Sequence, residues 1–217
     1  VSVVAWSFLV IKAVELRRAA AATRGFLAAY RKEAHPAALF LRRQRYEDSP
    51  AYAIYEKACG ALAAALQGAG GSSESADDLF MGAVGSASQR KLDALQMSAV
   101  RGAMDKARAD EIARLERNMG FVGVAATTTP LLGLLGTAWG AMAALDRAVE
   151  SRSGDLASAV PGLSGALLAT VVGLLVAIPT GIGHSLIADR IRRARSEMDD
   201  YLQELLDGIE RHYLKGK

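Results

Sequence analysis

The sequence predicts an all-α membrane protein with three membrane-spanning helices, the first of them truncated at the N-terminus. Mean hydropathy is +0.16 although 23% of the 217 residues are charged, so apolar and charged residues are segregated along the chain. Two segments, 119–145 and 157–188, contain no Asp, Glu, Lys or Arg. Each exceeds the roughly 20 helical residues that cross a bilayer.

The N-terminal segment is apolar but short, because only 11 residues precede Lys12. A signal peptide would carry its positive charge before the apolar run. Here Lys12, Arg17 and Arg18 follow the run. We therefore expect residues 1–14 to be the end of a first membrane helix.

Residues 15–118 are expected to form a helical region outside the membrane. An alanine-rich run at 19–29 predicts a helix that is broken at 46–50, and a second helix is predicted at 51–67. The sequence GAGGSS at 68–73 predicts a loop. Ser75 and Asp78 have the spacing of a helix start. From there a helix is predicted to continue, without proline, to Thr129.

Two amphipathic faces are predicted to pack in a helical bundle. Seven residues keep helical spacing in the long helix before the second span: Leu92, Leu95, Ala99, Gly102, Ile112, Leu115 and Met119. Five more do so in the C-terminal helix, residues 189–217: Ile191, Met198, Leu202, Leu205 and Ile209.

Basic residues indicate the orientation in the membrane, because Lys and Arg favour cytoplasmic flanks. They cluster after the first apolar run, before the second and after the third, whereas the connector 146–160 is of mixed charge. This predicts a periplasmic N-terminus, a periplasmic connector and a cytoplasmic C-terminus. The basic clusters, and the pI near 9.1, are therefore interpreted as topology signals and not as a nucleic-acid site.

The second span (119–145) and the third (161–188) carry more hydroxyls and small residues than a helix facing only lipid needs. In a helix the residues of each set share one face: Thr127, Pro130, Leu134, Thr137 and Ala141, and then Ala166, Thr170, Gly173, Ala177, Gly181 and His184. One interpretation is structural, since small residues allow close packing and a membrane Thr often bonds its own helix. Kinks and packing are assigned to Pro130, Gly133, Gly136, Gly140, Gly173 and Pro179.

A second interpretation concerns depth. Thr137 lies 9 residues before Asp146 and Thr170 lies 9 residues after Pro161, so both are about 13 Å below the outer surface. Two hydroxyls at one depth could line a narrow water-filled path, and in a homo-oligomer they would form a polar ring. Hydroxyls relay protons without titrating near neutral pH, and membrane spans that move protons normally contain Asp, Glu or His.

Neither span has a carboxylate, so a proton path would need a titrating group from another polypeptide. His184 is the one titratable residue in either span. It lies near the predicted cytoplasmic end, where a structural role is favoured and a proton exit is the alternative. No metal-ligand cluster, phosphate-binding loop or nucleophile motif is present in the sequence, which predicts neither an enzyme nor a cofactor.

The motifs resemble those of a known family. Residues 129–142, TPLLGLLGTAWGAM, and 161–179, PGLSGALLATVVGLLVAIP, are similar to the second-span and third-span signatures of the TolQ/ExbB/MotA proton-channel family, closest to its TolQ and ExbB members. Residues 2–12, SVVAWSFLVIK, are similar to the end of its first span.

The resemblance implies a homopentamer in the bacterial inner membrane, whose pore encloses the single-span helices of a TolR- or ExbD-like dimer with an essential Asp. Proton flow would then drive work at the outer membrane, for envelope maintenance or TonB-linked import, with a TolA- or TonB-like protein as a further partner. Thr137 and Thr170 match the two pore threonines of the family.

The sequence departs from the family at two places. Gly165 stands where the family usually has Glu, and His184 and Ser185 stand where Tyr and Asn are usual. Three alternatives remain open: a non-conducting oligomeric membrane scaffold, a gliding or flagellar-stator type of motor subunit, and a transporter subunit.

Overall fold

The computed structural model describes residues 2–33, 35–42, 44–70, 92–150 and 159–213. The architecture is all-α, as predicted. Six helices lie within these residues: α1 (Ser2–Tyr30), α2 (Ala38–Leu41), α3 (Pro50–Gly70), α4 (Ala94–Glu116), α5 (Met119–Glu150) and α6 (Val160–Tyr213).

The chain divides into two compact units. The first consists of Val1–Val14 and Glu116–Arg190, and the second of Glu15–Leu115 and Ile191–Lys217. These divisions fall within three residues of the ends of the predicted membrane segments. The apolar spans and the charged remainder therefore form separate packing units.

The first unit contains two helices, α5 and α6, with segments long and apolar enough to cross a membrane. Among the described residues no other helix meets that test, so a third spanning helix stays a prediction. Many large apolar side chains of α5 and α6 are exposed, including Trp139 at 70%. The start of α1 packs on this pair, with Leu9 against Gly183 and Phe8 against Phe121.

The second unit has an aromatic core. The ring of Phe26 lies 5.4–6.1 Å from the rings of five tyrosines, Tyr30, Tyr46, Tyr52, Tyr55 and Tyr201. The predicted apolar face of the C-terminal helix is confirmed, because all five of its residues are buried. The start of the predicted second helix is confirmed: the Ser49 hydroxyl accepts the Tyr52 amide proton at the N-terminus of α3, and Pro50 is the first helical residue. The first helix, however, ends at Tyr30, well before the predicted break at 46–50.

The helix before the second span differs from the prediction at both ends. The predicted start at Ser75 and Asp78 lies outside the described residues. Residues 68–70 of the predicted loop belong instead to α3. At the start of α4, Asp93 accepts the Ala94 amide proton and Gln96 accepts that of Asp93. The bond from the Asp93 amide to Gln96 is one half of a capping box at the helix N-terminus.

The prediction of one continuous helix to Thr129 was wrong. Helix α4 ends at Glu116, and α5 begins at Met119. Asn118 between them has φ 67°, the left-handed conformation in which helices commonly end and which Asn tolerates better than most residues. The turn separates the helix of the second unit from that of the first.

The predicted buried face of α4 was wrong in its first half. Leu95 is 78% exposed, and Ala99 and Gly102 are also exposed. The buried residues are Met97, Val100, Met104, Ala107, Ile112 and Leu115. Because α4 begins only at Ala94, Leu92 precedes the helix and its spacing to Leu95 carried no information about a helical face.

Candidate functional site

Helices α5 and α6 are in close contact along a strip of small residues. We call this strip the α5–α6 seam: Thr129, Gly133, Gly136, Thr137 and Gly140 of α5 with Ala166, Ala169, Thr170 and Gly173 of α6. A Cβ atom at Gly140 would lie 2.7 Å from the Cβ of Ala166, and one at Gly173 would lie 3.0 Å from the Cα of Gly133. The first distance is too short for a real side chain and the second would require the neighbouring backbone to shift, so the close approach of the two helices depends on these glycines.

The predicted stripe of α6 follows this contact: Ala166, Gly173 and Ala177 are buried and Thr170 is half-buried. Of the predicted stripe of α5, Thr137 lies in this contact, whereas Thr127 and Leu134 are exposed in the single chain. The contact face of α5 instead follows Ala125, Thr129, Gly133, Gly136 and Gly140. The glycines decide the face, since close approach is possible only where no side chain intervenes.

The structure brings Thr137 and Thr170 into direct contact, and their hydroxyls are hydrogen-bonded to each other. The Thr137 hydroxyl also lies 3.0 Å from the carbonyl oxygen of Ala166 and 3.2 Å from that of Gly133. The Thr170 hydroxyl lies 3.2 Å from the same Gly133 carbonyl. Two hydroxyls and two backbone carbonyls thus form one compact polar group inside an apolar contact.

This polar group has more acceptors than protons. Each hydroxyl donates one proton and can accept others, whereas each carbonyl only accepts. The two hydroxyl protons can therefore be arranged in more than one way: Thr137 can donate to a carbonyl while Thr170 donates to Thr137, or the reverse. Changing between these arrangements requires rotation of hydroxyl hydrogens and no displacement of the backbone.

Other threonines of the two helices behave differently. Thr127, Thr129 and Thr180 each donate to the carbonyl four residues earlier in their own helix, which is the usual bond of a membrane threonine. Thr137 and Thr170 are distinguished among these five by bonds that cross between helices.

The two prolines lie inside helices, Pro130 in α5 and Pro179 in α6. Each lacks the amide proton of a normal helical residue, which leaves one carbonyl of the preceding turn without its helical donor.

His184 lies on α6 and is half-buried against α5. Its Nε2 atom would be 3.2 Å from a Cβ at Gly123, so the imidazole occupies space that the glycine leaves open. It lies 14 residues beyond Thr170, or about 21 Å along the helix. His184 is therefore on the α5–α6 contact but separate from the threonine pair.

An open apolar groove of about 490 Å³ runs beside the seam. Its lining consists of Thr129, Leu132, Gly133, Gly165, Leu168, Ala169, Val172, Gly173 and Val176. Gly165 is exposed, and a Cβ at this position would meet no atom within 4 Å. A larger side chain at Gly165 would therefore point away from the α5–α6 contact.

The described part of the chain brings no three His, Cys, Asp or Glu residues together in a way that could hold a metal ion. The polar atoms of the seam are hydroxyls and backbone carbonyls. These groups can orient water and pass hydrogen bonds along, but they cannot take up a proton near neutral pH.

Comparison with curated proteins finds relatives of two kinds. The Tol-Pal system protein TolQ of Pseudomonas aeruginosa is 36% identical over 102 residues, which cover 47% of this chain and 42% of the relative. TolQ of Haemophilus influenzae is 31% identical over 102 residues, covering 47% and 45%. The biopolymer transport protein ExbB of Salmonella typhimurium is 31% identical over 90 residues, covering 42% and 37%.

The similarity to these relatives spans less than half of their length. The sequence profile of the MotA/TolQ/ExbB proton channel family matches residues 73–200, more than half of the chain, including all of α5 and the membrane-compatible part of α6. The resemblance expected from the two span motifs is confirmed: the chain belongs to the MotA/TolQ/ExbB proton channel family.

Proposed function

We propose that this chain is a proton-channel subunit of the bacterial inner membrane. In this proposal it uses the proton motive force, together with a TolR- or ExbD-like partner, to drive work at the outer membrane. Membership of the proton channel family supports the part of the proposal that concerns a channel subunit. The hydrogen-bonded pair of Thr137 and Thr170 is the observation that carries it to particular residues.

The threonine pair supports a relay because its hydrogen bonds can reverse. A proton arriving on one side of two linked hydroxyls can be matched by a proton leaving on the other, after which the hydroxyls rotate back. The two carbonyls, of Gly133 and Ala166, offer acceptors in both states. Both hydroxyls are half-buried, so a water molecule or a partner side chain could still reach them.

A partner is needed because the two spans contain no Asp or Glu. Membrane proteins that move protons normally use a titrating side chain. We infer that a single-span partner supplies an Asp at the depth of the threonine pair. In this arrangement the threonines position and relay, and the partner carboxyl takes up and releases the proton.

The oligomeric state stays part of the proposal. The small-residue faces of the two spans are largely used by the α5–α6 contact within one chain. Support for a homopentamer therefore comes from the family resemblance and from the many exposed apolar side chains of α5 and α6. The groove beside Gly165 is a further apolar surface that lipid or a neighbouring subunit would cover.

The charge distribution supports an orientation of the chain in the membrane. We propose that the N-terminus is periplasmic and the C-terminus cytoplasmic, since basic residues such as Arg190 and Arg193 follow the third span. His184 then lies toward the cytoplasmic end and is our candidate for proton release. TolQ and ExbB relatives match comparably, so the proposal includes both envelope maintenance and TonB-linked import.

Proton flux into vesicles tests this proposal. The chain in its natural full-length form would be co-produced with its single-span partner and reconstituted with a pH-sensitive dye inside the vesicles. We expect flux that follows the applied proton gradient, requires the partner and is lost when the partner's membrane Asp is replaced by Asn. An intact oligomer with no partner-dependent flux would contradict the proposal and favour a membrane scaffold.

A further inference from the structure

Two of the three histidines of the chain face each other in the second unit. The rings of His35, between α1 and α2, and His212, in the last turn of α6, have centroids 5.2 Å apart and are nearly perpendicular. Nε2 of His35 lies 3.2 Å from the hydroxyl of Tyr213, and Nδ1 of His212 lies 2.8 Å from the Gly208 carbonyl oxygen. This cluster joins the α1–α2 connection to the end of α6.

A hydrogen bond from the backbone identifies the protonation state of His35. Its Nδ1 accepts the amide proton of Ala37 at 3.2 Å. An amide can only donate, so Nδ1 must carry a lone pair and His35 must be neutral, with its proton on Nε2 facing Tyr213. Protonating His35 would set two donors against each other and would break the Ala37 bond. His212 keeps its bond to Gly208 in either state.

The surrounding charges do not favour a cation at His35. On the elements packed around it, Arg31 pairs with Glu204 and Arg42 pairs with Glu33. Arg211 of α6 donates to the carbonyl of its own helix at Asp207. Burial, and then the charge of His212, lower the pKa of His35 below its ordinary value of 6.5. The nearby phenols of Tyr30 and Tyr213 have raised pKa values because they are buried, so they stay neutral.

We propose that His35, His212 and Tyr213 form a pH-sensitive latch that holds the end of α6 to the α1–α2 connection. The latch is closed while His35 is neutral. On acidification His35 gains a proton and loses the Ala37 bond, and its positive charge lies beside the ring of His212. Loss of the turn bond at Ala37 and repulsion between the two rings then weaken the contact between the connection and the end of α6.

The pH range over which the latch opens follows from the linkage between protonation of His35 and stability of the closed form. Because His35 is harder to protonate in the closed latch, the open form binds more protons than the closed form as the pH falls. The stabilisation is therefore complete above pH 6.5, the ordinary value, and is lost progressively as the pH falls toward the lowered pKa of His35. If the second unit is cytoplasmic, which rests on the proposed function, the latch would respond to acidification caused by proton entry.

Nuclear magnetic resonance can follow the latch directly, because the chain has only three histidines. With the assembled protein in detergent and ¹³C-labelled histidine, we expect the His35 signal to titrate below pH 6.5. His212→Gln should move that titration to higher pH, because the neighbouring cation is removed. A His35 titration midpoint at or above pH 6.5 would overturn the proposal.

Hydrogen exchange provides the structural readout. After correction for intrinsic exchange, the amides of residues 208–213 should lose protection between pH 7.5 and 5.5, by at most about tenfold, because pH 5.5 is only one unit below the ordinary histidine pKa. Protection that does not change with pH would overturn the proposal. The measurement needs no proton conduction, so its failure is distinct from a failure of the proposed function.

A matched variant separates titration from folding. His35→Asn keeps a side-chain acceptor for the amide two residues later, as in an Asx turn, but cannot be protonated. We expect its exchange to be independent of pH over the same range. His184→Gln is the control and should retain the pH dependence of the parent protein. A His35→Asn variant with the parent pH dependence would exclude His35 as the titrating group.

Discussion

The hydroxyls of Thr137 and Thr170 each contact the backbone carbonyl oxygen that lies four residues before the other threonine. A membrane threonine usually bonds the carbonyl four residues earlier, which is Gly133 for Thr137 and Ala166 for Thr170. Thr137 contacts the Ala166 carbonyl across the seam as well as its own, and Thr170 contacts the Gly133 carbonyl. The pair therefore connects two helices through hydrogen bonds and retains alternative proton arrangements.

Replacing either threonine with valine keeps the shape of the seam and removes one hydroxyl. A membrane hydrogen bond contributes about 0.6 kcal/mol on average, so we expect Thr137→Val and Thr170→Val to assemble normally. Partner-dependent proton flux should fall severely in both. Flux into vesicles and native mass spectrometry of the same preparations would measure the two effects.

Thr128→Val is the matched control, because Thr128 is exposed and is not part of the seam. It should retain the flux of the parent protein. Equal loss of flux in all three variants, or loss accompanied by failed assembly in the seam variants, would indicate that the threonines serve packing only.

Gly173→Ala should separate α5 from α6. The added Cβ would lie 3.0 Å from the Cα of Gly133 and 3.2 Å from the Thr129 carbonyl oxygen. Backbone atoms cannot rotate away as a side chain can, so the helices must move apart. We expect a destabilisation of about 1–3 kcal/mol, the range for overpacked cores, measured by thermal unfolding in detergent.

Gly181→Ala, on the same helix, provides the comparison, since a Cβ there would meet nothing within 4 Å. It should be neutral or slightly stabilising, because alanine favours helix over glycine by about 1 kcal/mol. Equal effects of the two substitutions would show that helix propensity, and not the contact with Gly133, governs stability.

The sequence was sufficient to predict the all-α class, the two apolar spans and the equal depth of Thr137 and Thr170, but not their direct contact. Composition and spacing along a single helix decide these features. The equal depth of the two threonines required only that the spans be antiparallel, with a short connector. Contacts that depend on how one helix is rotated against another were harder to predict. The contact of α5 with α6 follows its glycines, and Thr127 and Leu134 of the predicted stripe lie outside that contact.

Helix ends were the other source of error. The signal for the start of α4 was in the sequence, at Asp93 and Gln96, whose spacing allows reciprocal bonds at a helix start. The turn before α5 depends on the positive φ of Asn118, which Asn permits but does not require. The pairing of His35 with His212 joins residues 177 positions apart in the chain, and no local pattern predicts it.

Cys59 should be unreactive in the folded protein. It is 2% exposed, and burial raises its pKa to about 12, so very little thiolate is present at neutral pH. We expect no labelling by a water-soluble maleimide at pH 7.5, nor at pH 9, until the second unit unfolds. Mass spectrometry after timed labelling would measure this.

The control is Lys57→Cys in a Cys59→Ala background, because Lys57 is exposed on the same helix. It should be labelled rapidly under the same conditions. Rapid labelling of Cys59 at pH 7.5 without unfolding would contradict the closed core of the second unit.

Gly165→Glu should leave the α5–α6 contact intact and change the proton flux. The new side chain would extend into open space, since a Cβ at Gly165 meets nothing within 4 Å. By contrast, Ala166→Glu would place a carboxylate at a position that is 4% exposed and packed against Gly140. A carboxylate forced into a closed apolar contact is strongly unfavourable. We therefore expect normal helix pairing in the first variant and disrupted pairing in the second.

Cross-linking between cysteines introduced on α5 and α6 would measure pairing, and proton flux would measure the channel. If Gly165→Glu disrupted pairing as strongly as Ala166→Glu, Gly165 would have to be reassigned to the seam.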